Sequence, residues 1–479
     1  MENTIVSIVK AELNVLTEAQ ISQTHDMALT ILEKTGVRVD DENARNIFKK
    51  KIGSTAGGNT VRIPREITQW AIASAPSRID VLCRDGAPGF TLDSQKTDRA
   101  IFGIGVTNLY YQDALTDKVV TFGRDHMVQA TRLGDALDEF DTISTPGVIQ
   151  DCPSEEAEQI GFLEMLANTK KPLTLLISEP KTFEQCLAMC DALAGEDATR
   201  SSILPYFNPI TPLILNQETT VKIDATVSRG MPFIFSNYGM SGATCPITPG
   251  GTLALLMAEL LAGLVYSQLL KEGTPIILGS LPAAFDMKSM QSYYTPQSML
   301  INLAGAEMMA HYHIPHCGTS GGWMGRGPDL MASGMLWQNH LTSVLGKAGL
   351  VPFVGNNFDS LAFSPTTVVY AAEIIRMARE FTRGFSMAPE EVGLEEIIRL
   401  GPGASYLASD LTMQKFKDPL ANSKIWPFIS LDAWQSQGCP KAGDGLRRYT
   451  QELLDNLQCP EYHNDILSKG TEIIKSLSL

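Results

Sequence analysis

IFGIGV (101–106), TISTP (142–146), LTLLIS (173–178), LPYFN (204–208), FIFSN (233–237), IILGS (276–280), HIPHCG (313–318) and LVPFVG (350–355) are eight short segments of one kind. Each is apolar with little alternation, most end in Gly, Ser, Asn or Pro, and each is followed by a stretch with helical spacing. A strand buried on both faces reads as a continuous apolar run, because helices cover both sides of the sheet. The helices are expected to begin near Arg124, Ser154, Phe183, Gln217, Gly250, Pro296 and Asp329, with a last one from about Thr367 to Phe381. Eight such units predict an α/β fold, a (β/α)8 barrel of the TIM type. An open doubly wound sheet is the alternative, because spacing alone does not show closure.

Working outward, residues 1–95 read as a mixed α/β layer. Thr17 to Lys34 has helical spacing and is followed by Gly36 as a C-terminal cap. A strand at Val37 to Val39 follows. Asp40 or Asp41 is placed to cap a second helix through Lys50, and Val61 to Ile63 with Pro64 reads as a strand entering a third helix that ends at Ala75. Tyr110 to Val120 reads as a hairpin around Asp113. The barrel is expected over 96–386. Residues 387–479 form a helical extension: a helix after Ser386, the turn Leu400-Gly401-Pro402-Gly403, and two amphipathic helices ending near Ser476, packed on the barrel.

The chain has 479 residues, 44% hydrophobic and 19% charged, with a net charge of −15 spread along its length. That balance disfavours nucleic acid as a partner. The N-terminus shows no basic region followed by an apolar stretch and a cleavage site, so a cytoplasmic location is expected. Leu253 to Leu270 is apolar enough to resemble a membrane span, but Glu259, Ser267 and Gln268 interrupt it, and a buried helix is the expected reading. The eight cysteines read as reduced thiols, Cys186 and Cys190 included. His311, His313 and His316 crowd the seventh strand, but the first two lie at its entry, away from the end where barrel chemistry sits. With His340 inside a helix, no metal site is expected.

Several motifs carry a family resemblance in their order and spacing: TGVRVDD (35–41), VRIP (61–64), ASAP (73–76), NPITPL (208–213), MSGATCP (240–246), ELLAG (259–263), GS (279–280) and LGPG (400–403). Over nearly the whole chain the sequence resembles the trimethylamine methyltransferase superfamily. The resemblance implies a barrel enzyme that moves a methyl group from an amine to Co(I) of a separate corrinoid protein. Members acting on trimethylamine carry pyrrolysine near the last strand, and 355–364 contains no such residue. The chain is therefore similar to the branch acting on quaternary amines such as glycine betaine, proline betaine and carnitine. Many glycine betaine relatives carry His-Asp just before the glycine of the last strand; here that stretch is Val351-Pro352-Phe353-Val354-Gly355, which suits proline betaine or carnitine at least as well. The alternatives are a trimethylamine methyltransferase and a barrel that binds a betaine without turnover. No cofactor is expected on the chain itself, and a barrel of this size is expected to be a homo-oligomer.

A methyl group leaving a quaternary ammonium leaves behind a neutral tertiary amine, so no proton has to be delivered. The catalytic task is positioning, desolvation and exclusion of water. The C-terminal ends of the strands carry barrel chemistry and point to Glu179, Asn208, Asn237, Tyr238, Ser280, Thr319, Asn356 and Asn357. Asn208 and Asn237 either direct amides into the pocket or cap the next loop. A quaternary ammonium is recognised by aromatic faces, which singles out Tyr110, Tyr238, Trp323 and Phe358. Tyr206 and Phe207 alternate, so one of the two faces inward. Arg326, in the Gly-rich loop 321–327, is the candidate partner of a substrate carboxylate, with a plain surface arginine as the other reading.

Overall fold

The computed structural model describes residues 8–53, 58–94, 99–318, 324–416, 423–426 and 428–477. The eight apolar segments become eight strands: β1 (Ile101–Ile104), β2 (Thr142–Ser144), β3 (Leu173–Leu175), β4 (Ile203–Phe207), β5 (Phe233–Ser241), β6 (Ile276–Asp286), β7 (His316–Gly318) and β8 (Leu350–Val354). Each pairs in parallel with the next in sequence. β8 pairs in parallel with β1, for example Leu350 with Ile101, so the sheet closes on itself and the open-sheet alternative is excluded.

The outer ring consists of α1 (Arg124–Ala136), α2 (Ala157–Asn168), α3 (Pro180–Ala194), α4 (Gln217–Ser228), α5 (Pro249–Leu270), α6 (Pro296–His311), α7 (Leu330–Leu345) and α8 (Pro365–Arg383). Proline opens α3, α5, α6 and α8, where its fixed φ suits the first turn and its missing N–H costs nothing. α5 is long and apolar enough to cross a membrane by length and composition. It is buried on both sides: strands lie beneath it, and helices Glu18–Lys34, Glu42–Ile52 and Arg65–Ser74 lie above. A helix covered all round has no face on which polarity is favoured, which explains its composition.

The three N-terminal helices fall where spacing placed them, whereas the strand expected over Val61 to Ile63 is Thr60–Val61. Thr17 caps the first helix in a capping box with Gln20, and Asp41, rather than Asp40, caps the second. Gly36 has φ +78° and lies against the Val61 carbonyl, where a side chain has no room. Val37–Val39 pairs with Thr60–Val61 and, across the fold, with Ile214–Leu215 from the loop after β4. The sequence reading missed a hairpin, Arg78–Leu82 with Pro88–Asp93. Its Ile79, Val81, Phe90 and Leu92 pack on the inward residues Ile101, Leu204, Ile234, Ile277, Cys317 and Leu350. The hairpin therefore stoppers the N-terminal end of the barrel and leaves the other end as the place for a ligand.

At the C-terminus the single helix expected after Ser386 is two, Pro389–Val392 and Leu394–Leu400, separated by Gly393 at φ +64°. Asp410–Lys415 and Leu431–Ser436 are further short helices, too short to show periodicity. The two amphipathic helices are Ala442–Asp455, against α8 and α1, and His463–Leu477, against α2 and α3. Their buried stripes, Leu446-Thr450-Leu454 and Ile466-Gly470-Ile474, repeat every four residues.

Candidate active site

At the C-terminal end of the barrel lies a cavity of about 700 Å³. Its floor is the pair Tyr206 (β4) and Phe353 (β8), packed edge to face with centroids 5.1 Å apart. The wall continues through Thr145, Asn208, Tyr238 and Leu281, and an apolar recess reaches Met127, Phe162 and Met165 between α1 and α2.

Strand alternation decides which side chains arrive. On β5, Phe233 and Phe235 belong to the core outside the barrel, and Ile234 to the core within it. Tyr238 therefore shares the inward face and lines the cavity, whereas Asn237 faces outward. Asn237 donates to the Leu256 carbonyl on α5 at 2.9 Å and is fully buried. β5 and β6 continue as a paired ribbon beyond the barrel, and Gln291–Tyr293 turns back along β6. That return brings Ser292 and Tyr294 into the cavity wall.

After β8, the short strands Asn356–Asn357 and Ala362–Phe363 form a hairpin. Phe358, Asp359 and Ser360 at its tip have φ of +54°, +55° and +66°. Three consecutive non-glycine residues in the left-handed region carry strain of about 1–3 kcal/mol each. The surroundings over-determine the turn: Phe358 N–H donates to the Gly325 carbonyl at 3.0 Å, and the Leu361 carbonyl accepts from the N–H groups of Leu109 and Tyr110. The turn delivers Asp359 to the cavity. One carboxylate oxygen accepts from the Ser292 hydroxyl at 3.4 Å. The other is buried without a hydrogen-bond partner. Burial pushes the Asp359 carboxyl up to about 6, and burial raises the Tyr238 phenol, opposed by a hydrogen bond with Ser292 and reinforced by the Asp359 charge.

Lys222, on α4, is the cation of the wall. Its Nζ donates to the carbonyls of Ile177 at 2.9 Å and Ser178 at 2.8 Å. Glu158 accepts from Ser178 N–H at 2.9 Å, so the two opposite charges pin the loop after β3. Burial lowers the lysine's proton affinity, and Glu158 opposes that effect.

Of the candidates drawn from the sequence, Asn208 and Tyr238 line the cavity; Asn208 Nδ2 donates to the Ser236 carbonyl at 2.8 Å. Tyr110 does not: it is 41% exposed, and its neighbour Tyr111 turns inward to stack on His126. Asn356 and Asn357 are buried beneath the turn, paired with Asn108 at 2.7 Å and Gln112 at 2.7 Å. Their amides satisfy neighbouring polar groups and none reaches the cavity. Phe358 supplies the turn, not the lining. Arg326 is exposed and lies outside the lining; its backbone binds Gln112 and Asp329. Glu179 precedes α3 as its N-terminal cap, and Ser280 is buried, its carbonyl accepting from Asn302. Trp323 and Thr319 lie outside the described residues.

Sequence reasoning missed Asp359, Ser292, Tyr294, Lys222 and Glu158. A carboxylate in the run Asn-Asn-Phe-Asp-Ser just after the last strand was the available signal; the others come from helices or from the β6 ribbon, which the rule about strand ends does not reach. Among the described residues no cluster of His, Cys, Asp and Glu is disposed to hold a metal ion. His316 and His340 are fully buried, and burial pushes both down to about 3. The described lining contains no histidine. The arrangement can hold and desolvate a cation against aromatic faces and one carboxylate.

Comparison with known proteins gives this site a context. The trimethylamine methyltransferase (MTTB) family model matches residues 2–475. The chain is 28% identical over 441 residues to trimethylamine methyltransferase MttB of Desulfitobacterium hafniense, covering 91% of this chain and 87% of the relative. It is 24% identical over 471 residues to a glycine betaine methyltransferase of the same species, covering 95% of each. Among solved structures, the monomethylamine methyltransferase MtmB of Methanosarcina barkeri aligns over 94% of this chain and 96% of its own with a TM-score of 0.48 and 10% identity.

Proposed function

Because the chain belongs to the trimethylamine methyltransferase family, we propose that it takes a methyl group from a quaternary amine, delivers it to Co(I) of a separate corrinoid protein and releases the tertiary amine. The observation that carries this reading is the aromatic cavity at the strand ends with an uncompensated carboxylate, Asp359, in its wall. A quaternary ammonium has no N–H to donate, so ring faces and a nearby carboxylate are what can recognise it. Glycine betaine, proline betaine and carnitine are the candidates raised by the sequence.

The corrinoid of the partner protein supplies the nucleophile for the methyl group. This chain's residues have the remaining tasks. Tyr206, Tyr238, Tyr294 and Phe353 replace water around the ammonium, and Asp359 balances its charge. The hairpin stopper at the far end of the barrel leaves the C-terminal mouth as the route of approach. A pocket of about 700 Å³ falls within the range of roughly 300–1,000 Å³ that suits drug-sized ligands. It is more than a small amine fills, and the remainder is room for a larger group to meet the substrate.

The test supplies a reduced corrinoid protein with each betaine, carnitine, choline, tetramethylammonium and trimethylamine in turn and follows cobalt absorbance. Methylation from a quaternary amine and none from trimethylamine is the expected result. Methylation from trimethylamine alone, or from no compound, overturns the reading; in the second case a barrel that binds without turnover replaces it.

A further inference from the structure

We propose that the cavity selects a quaternary ammonium compound of net positive charge, of the choline or tetramethylammonium class, over zwitterionic betaines that carry a carboxylate. The inference rests on the methyl-transfer reading for turnover but not for binding.

Its basis is the disposition of charge around the cavity. The charged side chains in the described lining are Glu158, Lys222 and Asp359. Lys222 is directed to two backbone carbonyls, and Glu158 sits at the same loop as an opposing charge. These two offset each other. Asp359 has no cation facing it among the described residues: its carboxylate has the Ser292 hydroxyl on one oxygen and no hydrogen-bond partner on the other. Burying a carboxylate in this way is costly unless a positive charge joins it.

A betaine requires the opposite provision as well, a cation for its carboxylate. Arg326 stands outside the lining. The stretch 319–323, which follows β7, reads Thr-Ser-Gly-Gly-Trp and contains no charged side chain. A betaine carboxylate would enter a confined space that already holds Asp359, where like charges repel more strongly than in bulk water. A net cation brings no charge that Asp359 repels, and Lys222 is already engaged by the two carbonyls of the loop after β3.

The experiment is calorimetric titration of the purified full-length protein with choline, tetramethylammonium, glycine betaine, proline betaine and carnitine. The cations are expected to bind at least about tenfold more tightly than the betaines, and Asp359→Asn, a nearly isosteric change, is expected to abolish that difference. If Asp359→Asn does not fold, titration of the wild-type protein from pH 8 to pH 5 serves instead. The cation preference should fade as Asp359 takes up a proton; Tyr238, the titratable group facing it among the described residues, stays neutral across that range. Betaines binding as tightly as the cations, or a preference that survives loss of the Asp359 charge, overturns the proposal. Cobalt methylation separates the two claims: turnover of betaines alone sinks this inference and spares the transfer reading, whereas Asp359-dependent cation binding with no turnover of any compound does the reverse.

Discussion

Replacing Glu259 with glutamine tests how the loop that carries Asn208 is held. Glu259 lies in α5, fully buried, and its two oxygens accept from the Thr211 hydroxyl and the Leu213 N–H, both at 2.7 Å. Those bonds anchor the loop between β4 and Ile214–Leu215. Burial pushes its carboxyl from 4.5 up to about 7, and the hydrogen bonds from Thr211, Leu213 and the Asn237 side chain only partly oppose the rise. The folded protein thus holds the proton more tightly than the unfolded chain does. Below pH 4.5 both states are protonated and burial carries no ionic cost; between 4.5 and about 7 the cost accumulates, and above that it is complete. At about 1.4 kcal/mol per tenfold change in proton affinity, the full cost is about 3 kcal/mol.

Glutamine keeps the shape: its carbonyl accepts from Leu213 N–H, and its amide donates to Thr211, whose hydroxyl turns from donor to acceptor. The stability of wild type relative to Glu259→Gln should therefore fall by about 3 kcal/mol between pH 4.5 and pH 8. For a chain of this length that corresponds to about 3 °C in melting temperature. The assay is chemical and thermal unfolding of both proteins at each pH. A difference that does not vary with pH would mean that Glu259 ionises normally in the fold, and the argument from its burial would fail.

Three further outcomes are expected. Gly263→Ala drives a methyl group into the Phe235 ring, because α5 lies directly on β5 there; overpacking of this kind costs about 1–3 kcal/mol, and an unchanged urea midpoint would show that the contact can relax. Tyr238→Phe keeps the ring face and should leave quaternary ammonium affinity nearly intact, whereas Tyr238→Ala should weaken it by about 1–2 kcal/mol; equal titration curves for Ala and wild type would remove Tyr238 from the site. Arg326→Ala should leave betaine affinity unchanged, and a loss of about tenfold or more would restore the arginine as a carboxylate partner.

The barrel was legible because it rests on local features repeated eight times: an apolar run of five or six residues, a stop, and a helix with its own start signal. Thr17 and Pro296 mark helix starts from within a few residues of their own position, so spacing alone located them, and it narrowed the second cap to Asp40 or Asp41. The Arg78–Leu82 and Pro88–Asp93 hairpin was missed because one face of each strand is buried only by the barrel that it stoppers. Nothing local distinguishes it from a surface turn. The choice between Asn237 and Tyr238 was open for a similar reason. Adjacent residues of a strand point to opposite faces, and which face is inward depends on the partners of β5.

From the sequence by itself came the fold class, the order of strands and helices, the family, and two of the residues in the cavity wall, Asn208 and Tyr238. Tertiary structure alone decided that the sheet closes, that the N-terminal end is stoppered, and that Asp359, Ser292, Lys222 and Glu158 meet around one cavity. Secondary structure follows from interactions among neighbours in the chain, and its periodicity is written there. The cavity gathers side chains from 106 to 361, and only the closure of the barrel, with a strained turn held by Gly325 and Leu361, brings them together.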